Sequence, residues 1–486
     1  MLQFADDLVI WAASSSRAEV TRKLSEATEK IEWFLHSKGL DLSISKSASI
    51  NFTRSTRSRP DREAVVVHRR EIPVVAKHRF LGVLIDRSFS GRAHLEYITN
   101  KCRSIVNVIS SLAGVWWGAH PLLLLNVYRA LMRSVMEYGH QIFFTKGNLT
   151  KLEVLLKLRN RALRTALGYR ASTPINVILD EAREPPFLIR MEMLNTRFIY
   201  RCAARLDSSV IGEIDAMAAS STSFHRRVWM IQNIPTVKTY IKIKDDLAGV
   251  HGTAGPPCFS GSLGSLTCRP EYVRCFLQDN GDRADIMAAF REQVGEILDG
   301  ALTIYTDGSR TSGEFPSTGA GVYSPELNVR IYTRLPGIAS IFSAEAWAIV
   351  LALELCLEQG KSYKNVVVLS DSRSVLDAVT SADPFPKNYL ISRIRELVLS
   401  AREAEINVTM VWIPSHRGII GNEEADRLAA KAHSANISES FKIPFADLYT
   451  SARSNMQSAA SEFHKNKAQE KGKLYFQHFH SNAPRP

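Results

Sequence analysis

No CxxC pair occurs in this 486-residue chain, and its six cysteines (Cys102, Cys202, Cys258, Cys268, Cys275, Cys356) fall at irregular spacings. That excludes a disulfide framework and predicts reduced thiols in an intracellular protein, nuclear or cytoplasmic. Cys258, Cys268 and Cys275 lie loosely near His251, but neither spacing nor ligand order matches a zinc site. No stretch approaches the roughly 20 consecutive apolar residues of a membrane helix, and the opening MLQFADD has no cationic start before an apolar run. The sequence therefore predicts neither secretion nor a membrane partner. Internal repeats are absent, and 45% apolar, 9% aromatic and 23% charged residues exclude disordered and collagenous classes.

The net charge of +12 is unevenly distributed. Residues 1–299 carry 41 Lys+Arg against 30 Asp+Glu (+11), residues 300–434 carry 13 against 15 (−2), and residues 435–486 carry 7 against 4 (+3). A slightly acidic segment between basic flanks suits an anionic polymer held by the flanks and neutralised by metal at the acidic part. The same total also suits a basic surface that only keeps the chain soluble.

Along the chain, LQFADDLVIWA reads as a hairpin with Asp6 and Asp7 at its turn. Val20–Ser37 has helical periodicity, and GLDLSISKSASINF alternates like strands around Lys46. A basic loop follows at Arg54–Arg62, then strand signals at Ala64–His68 and Phe80–Asp86. From Ala93 to Cys202 the pattern is mostly helical. Within it, Lys151–Arg170 sets an apolar stripe (Leu152, Leu155, Leu156, Leu163, Ala166, Leu167) beside Lys157, Arg161 and Arg164. Those three cations track a nucleic-acid backbone or form an ordinary solvated face. Ala248–Leu266 reads as a linker. From Ala301 three strands precede alternating helices and strands, predicting a mixed sheet with helices packed on it. Past Ala435 the sequence is polar and weakly patterned.

Four acids stand in compact motifs: Asp307 in IYTDGS, Glu345 in SAEAWAI, Asp371 in LSDSRS and Asp426 in GNEEADRLA. Asp307 and Asp371 are expected at strand ends, Glu345 at the opening of a helix and Asp426 in the first turns of the last helix. Singly, each fits a cap or a solvated turn. Together they supply the hard oxygen ligands that a pair of divalent cations needs. Their separations in sequence (38, 26 and 55 residues, by subtraction) mean that only the fold can join them.

Ala301–Ala432 resembles a type 1 ribonuclease H domain, on YTDGS, the AE of SAEAWAI, SDS and WIPSHRGIIGNEEADRLA in that order. The resemblance implies cleavage of the RNA strand of an RNA–DNA hybrid. It implies two Mg²⁺ ions, with Mn²⁺ as a substitute, bridged by Asp307 and completed by Glu345, Asp371 and Asp426. His416 matches the family's mobile histidine, a proton carrier or product-release aid. Trp412 reads as core packing. The link SADPFPKNY carries one lysine where some members have a basic handle, so grip on the hybrid is expected elsewhere.

FADD (Phe4–Asp7), KGLDLSISKSASINF and FLGVLID resemble successive palm motifs of a non-LTR, jockey-like retrotransposon reverse transcriptase. The expected organisation is a truncated palm remnant (1–92), a mostly helical thumb and connection (93–247), a linker (248–298), a ribonuclease H domain with a mixed five-stranded sheet (299–434) and a polar extension (435–486). Asp6 and Asp7 would then be vestigial polymerase acids without a partner, and no polymerase activity is expected. A remnant that binds nucleic acid without turnover is the alternative to an active nuclease.

Overall fold

The computed structural model describes residues 2–52, 64–67, 70–114, 116–205, 209–219, 234–247, 249–250, 268–276, 283–311, 316–359, 362–383, 386 and 388–480. They fall into two compact units, one within Met1–Met191, Asn233–Pro235 and Ala460–Pro486, the other within Glu192–Gln232 and Thr236–Ala459. No helix among them is long and apolar enough to cross a membrane.

The first unit is mainly helical. Strands β1 (Leu2–Phe4) and β2 (Asp7–Val9) form the expected hairpin. Helix Arg17–Ser37 follows, and then comes a departure. The alternating stretch around Lys46 contains only a 3-10 turn, Ile44–Lys46, with an isolated bridge from Ser49 to Val74. Serines explain it: the Ser47 hydroxyl donates to Ser43 O at 2.9 Å, and such local bonds compete with a sheet ladder. β3 (Val65–Val67) pairs with β4 (Arg70–Ile72), and β5 (Lys77–Phe80) with β6 (Val83–Asp86). Helices Arg92–Leu112 and Leu149–Leu167 then bury one face each. The basic loop at Arg54–Arg62 lies outside the described residues.

In the second unit a six-stranded sheet runs in the order β10 (Val329–Leu335), β9 (Thr318–Ser324), β8 (Leu302–Arg310), β11 (Asn365–Ser370), β12 (Asn407–Trp412), β7 (Glu271–Arg274). Strands β8 (Leu302–Arg310), β9 (Thr318–Ser324) and β10 (Val329–Leu335) are antiparallel neighbours. β11 (Asn365–Ser370) and β12 (Asn407–Trp412) continue from β8 in parallel. The sixth strand, β7 (Glu271–Arg274), adds parallel to β12 from a region expected to be linker. Helix Arg283–Leu298 lies in the same region, of which residues 248, 251–267 and 277–282 lie outside the described residues. A four-residue strand, EYVR, with a charged residue at each end is too short an apolar run to stand out in sequence.

Period-two alternation divides the strand side chains between two cores. Leu302, Ile304, Val366 and Val368 face helices Ile341–Gln359 and Tyr389–Glu403, whereas Tyr305, Val367 and Leu369 face Phe290, Val294 and Ala425. Both faces are covered, so the strands read as continuous apolar runs. On the second face helix Ile420–Lys431 comes to backbone contact with β9. A Cβ on Gly321 would lie 2.4 Å from Ala425 O, so that approach requires glycine.

The link after helix Arg373–Thr380 is held from beneath. Arg395, fully buried, donates to the carbonyls of Val379 (2.9 Å), Ala378 (3.0 Å), Ser381 (3.0 Å) and Asp383 (2.6 Å). Those carbonyls include the orphan acceptors of a helix end. Arg395→Met is expected to cost on the order of 3 kcal/mol, read by chemical denaturation, because it leaves several buried acceptors unpaired. The single lysine of that link, Lys387, lies outside the described residues.

Candidate metal centre

Asp307 lies on β8, three residues before the strand ends at Arg310 rather than at its terminus. β8 is the central strand that pairs with both β9 and β11, so its side chains are fixed from two sides. Asp371 follows directly on β11, the parallel neighbour. Glu345 sits in the second turn of helix Ile341–Gln359, whose Ala344, Ala346 and Ala348 let it lie close on the sheet. One ligand oxygen from each of Asp307, Glu345 and Asp371 lies within 4.8 Å of the others. Asp426, on helix Ile420–Lys431, reaches the cluster from its rim through a hydrogen bond with Asp307.

Burial and mutual repulsion dominate the electrostatics. The Asp307 carboxyl, 6% exposed, is pushed up to about 8 by burial and then by the charges of Asp371 and Asp426. Burial, then Asp307 and Asp371, raise Glu345 well above the ordinary range. Asp371 is raised by burial, with an opposing pull from the Asn422 amide and from His416. One Glu345 oxygen, Oε2, is buried without a hydrogen-bond partner. Buried unpaired oxygens beside two further carboxylates are costly unless a cation joins them, and an all-oxygen set suits a hard divalent ion. The donor set therefore fits the metal its sequence suggests.

His416 lies in the loop between β12 and the last helix, with a left-handed φ of +54°. Its side chain is 78% exposed, and Nδ1 stands 3.8 Å from Asp426 Oδ2. Trp412 is half-buried and packs against the core, as its sequence suggests; its indole N–H donates to the Asp371 backbone carbonyl at 3.0 Å.

Three participants were not evident from the sequence. Asn422 donates to the Asp371 side chain while its own Oδ1 is buried and unpartnered. Its position four residues before Asp426 on one helix was the available signal. The Gly308 backbone N–H donates to Glu345, and only a missing Cβ allows that approach. His433 bridges Ser317 Oγ and Ser309 Oγ, each at 3.1 Å, two residues beyond Asp307; nothing in its context announces this.

The other candidate residues belong to the first unit. Lys157 and Arg161 are exposed on helix Leu149–Leu167, but Arg164 is half-buried and donates to Thr173 O at 3.1 Å. Arg159, one turn from Arg164's neighbours, is buried and bonded to Tyr128 Oη and Pro185 O. Asp6 and Asp7 are exposed at the hairpin turn.

Residues 299–434 match the RNase H family model. Human ribonuclease H1 is 30% identical over 140 residues, which are 26% of this chain and 48% of that protein. The RNA-directed DNA polymerase from the mobile element jockey of Drosophila funebris is 22% identical over 177 residues, 35% of this chain and 19% of that one. Among solved structures, a foamy viral protease-reverse transcriptase in complex with dsDNA is 22% identical, covering 29% of this chain and 98% of that chain with a TM-score of 0.24. RNase H1 from Halobacterium salinarum is 23% identical, covering 27% and 97%, with a TM-score of 0.20.

Proposed function

We propose, with residues 299–434 as an RNase H domain of a retrotransposon-type reverse transcriptase, that this chain hydrolyses the RNA strand of RNA–DNA hybrids. The observation that carries the reading is the buried meeting of Asp307, Glu345 and Asp371, with Asp426 bonded to Asp307. A bound pair of Mg²⁺ ions supplies the positive charge that phosphodiester hydrolysis needs at the attacking and leaving oxygens. Mn²⁺ accepts the same oxygen donors.

Asp307, Glu345, Asp371 and Asp426 would hold those ions, a reading supported by the meeting of the first three and by the contact of Asp307 with Asp426. Asn422 and the Gly308 N–H orient Asp371 and Glu345, as outer partners of metal ligands do. His416, exposed and near Asp426, is placed to take and release a proton at Nδ1. His416→Ala is expected to lower kcat about a hundredfold with little change in KM for hybrid, in steady-state cleavage assays. Lys157 and Arg161 remain candidates for backbone contact; their charge reversal should weaken hybrid binding most at low salt. The remaining domain boundaries, 1–92, 93–247 and 435–486, belong to the same proposal.

The direct test is cleavage of labelled RNA–DNA hybrid against double-stranded RNA, with Mg²⁺, Mn²⁺ or chelator. Hybrid-specific, cation-dependent cleavage is expected. Salt-sensitive retention of hybrid without cleavage in either cation would replace this reading with that of a binding remnant.

A further inference from the structure

Helix Ile341–Gln359, which carries Glu345, begins against a side chain from beyond residues 299–434. Asp447, buried in the first turn of helix Phe445–Glu470, accepts two hydrogen bonds from Ser340. Its Oδ2 receives the Ser340 backbone N–H at 3.0 Å, and its Oδ1 receives the Ser340 hydroxyl at 2.7 Å. Ser340 immediately precedes the helix, and its Oγ accepts from the Ser343 backbone N–H at 3.2 Å and lies 3.2 Å from Ser343 Oγ. Asn388 Nδ2 then donates to Ser343 Oγ at 3.0 Å. Glu345 lies five positions after Ser340.

The segment that delivers Asp447 is itself anchored. Phe441 packs edge-on against Trp347, with ring centroids 5.4 Å apart. Tyr389 Oη donates to Lys442 O at 3.0 Å, and Leu448 and Ala452 are buried with Met193 and Tyr200. A buried carboxylate is costly unless it is fully hydrogen-bonded, and the N-terminal end of a helix is where its negative charge is favoured. Asp447 sits at such an end and accepts a hydrogen bond on each oxygen, which opposes the upward push that burial gives its carboxyl.

We propose that Asp447 is a positioning residue for the metal centre: by fixing Ser340 and the first turn, it holds the Glu345 carboxylate against Asp307 and Asp371. This rests on the reading of Glu345 as a cation ligand. Loss of Asp447 frees the first turn of the helix to fray, and Glu345 stands in the turn that follows.

The test uses the full chain with Asp447→Ala, Asp447→Asn and the neighbouring control Leu448→Ala. Amide hydrogen exchange over residues 338–348, Mn²⁺ affinity by electron paramagnetic resonance, and kcat and KM on hybrid are measured. For Asp447→Ala, exchange in that segment is expected to rise about tenfold, Mn²⁺ affinity and kcat to fall about tenfold, and KM to stay within about twofold. Asp447→Asn keeps one acceptor oxygen, so it should fold like the parent and fall between. Leu448→Ala should lower Tm while leaving Mn²⁺ affinity unchanged. Parent-like exchange over 338–348 and parent-like Mn²⁺ affinity in both Asp447 variants would overturn the proposal. If the parent chain binds no Mn²⁺, the metal reading of the acids fails, and the exchange pattern still decides whether Asp447 fixes the turn.

Discussion

Asp307→Asn is expected to reduce hybrid cleavage about a thousandfold, ~4 kcal/mol of lost transition-state stabilisation, while making the cation-free protein more stable at alkaline pH. The two effects have one cause. Asp307 is the acid on which the charges of Asp371 and Asp426 converge in a buried setting. Its folded pKa of about 8 stands above the ordinary 3.8. The folded state therefore holds that proton more tightly than the unfolded chain does. Its stabilising contribution is fully present below about pH 4 and is lost as pH rises through about 8. Thermal melts in chelator should show Tm falling across that window for the parent chain and a flatter profile for Asp307→Asn. At pH 8 the variant should melt several degrees higher, a difference on the order of a few kcal/mol. Millimolar Mg²⁺ or Mn²⁺ should restore the parent chain and leave the variant little changed. Lost cleavage with a lowered Tm in chelator would instead mark a damaged fold, and the metal assignment would lose its support.

The central sheet was legible because its strands are apolar runs bounded by glycine and polar breaks, such as Ala301–Gly308 and Asn365–Asp371. Their two buried faces suppress alternation but preserve length. The four acids stood out through their local motifs rather than their spacing, and the fold brings ligand oxygens of three of them, Asp307, Glu345 and Asp371, within 4.8 Å of one another. What was hidden depends on contacts distant in sequence. β7 adds four residues to an edge, where pairing with β12 decides its state more than its own composition. Helix Phe445–Glu470 looks polar because its buried residues, including Leu448 and Ala452, are few and widely set. Around Lys46 the alternation was real, but serine hydroxyls satisfied the backbone locally. Arg164 reads as a free cation by helical spacing, yet the chain returning at Thr173 gives it a carbonyl. Asp447 and Ser340 are 107 residues apart, and no local pattern marks either as a partner of the Glu345 helix.

Gly308→Ala should be the most damaging substitution that removes no functional group, with kcat on hybrid lowered about a hundredfold. A Cβ built on Gly308 lies 2.8 Å from the Glu345 backbone nitrogen and 3.0 Å from its Cγ and Cδ. The nitrogen belongs to a helix packed on the sheet, so it cannot step aside as a surface side chain would. Relief must come from separating β8 from that helix, which moves Asp307 and Glu345 apart and weakens the Gly308 N–H bond to Glu345. Overpacking of this kind typically costs 1 to 3 kcal/mol, roughly, so the protein should still fold. The effect should show as weaker Mn²⁺ binding and lower kcat, with hybrid KM nearly unchanged. Gly295→Ala provides the contrast, since its Cβ meets nothing within 4 Å on helix Arg283–Leu298. Alanine there should raise stability by about 0.5–1 kcal/mol and leave cleavage unaltered. If Gly308→Ala cleaves like the parent chain, the close approach of β8 to the Glu345 helix is not what sets the geometry of the metal centre.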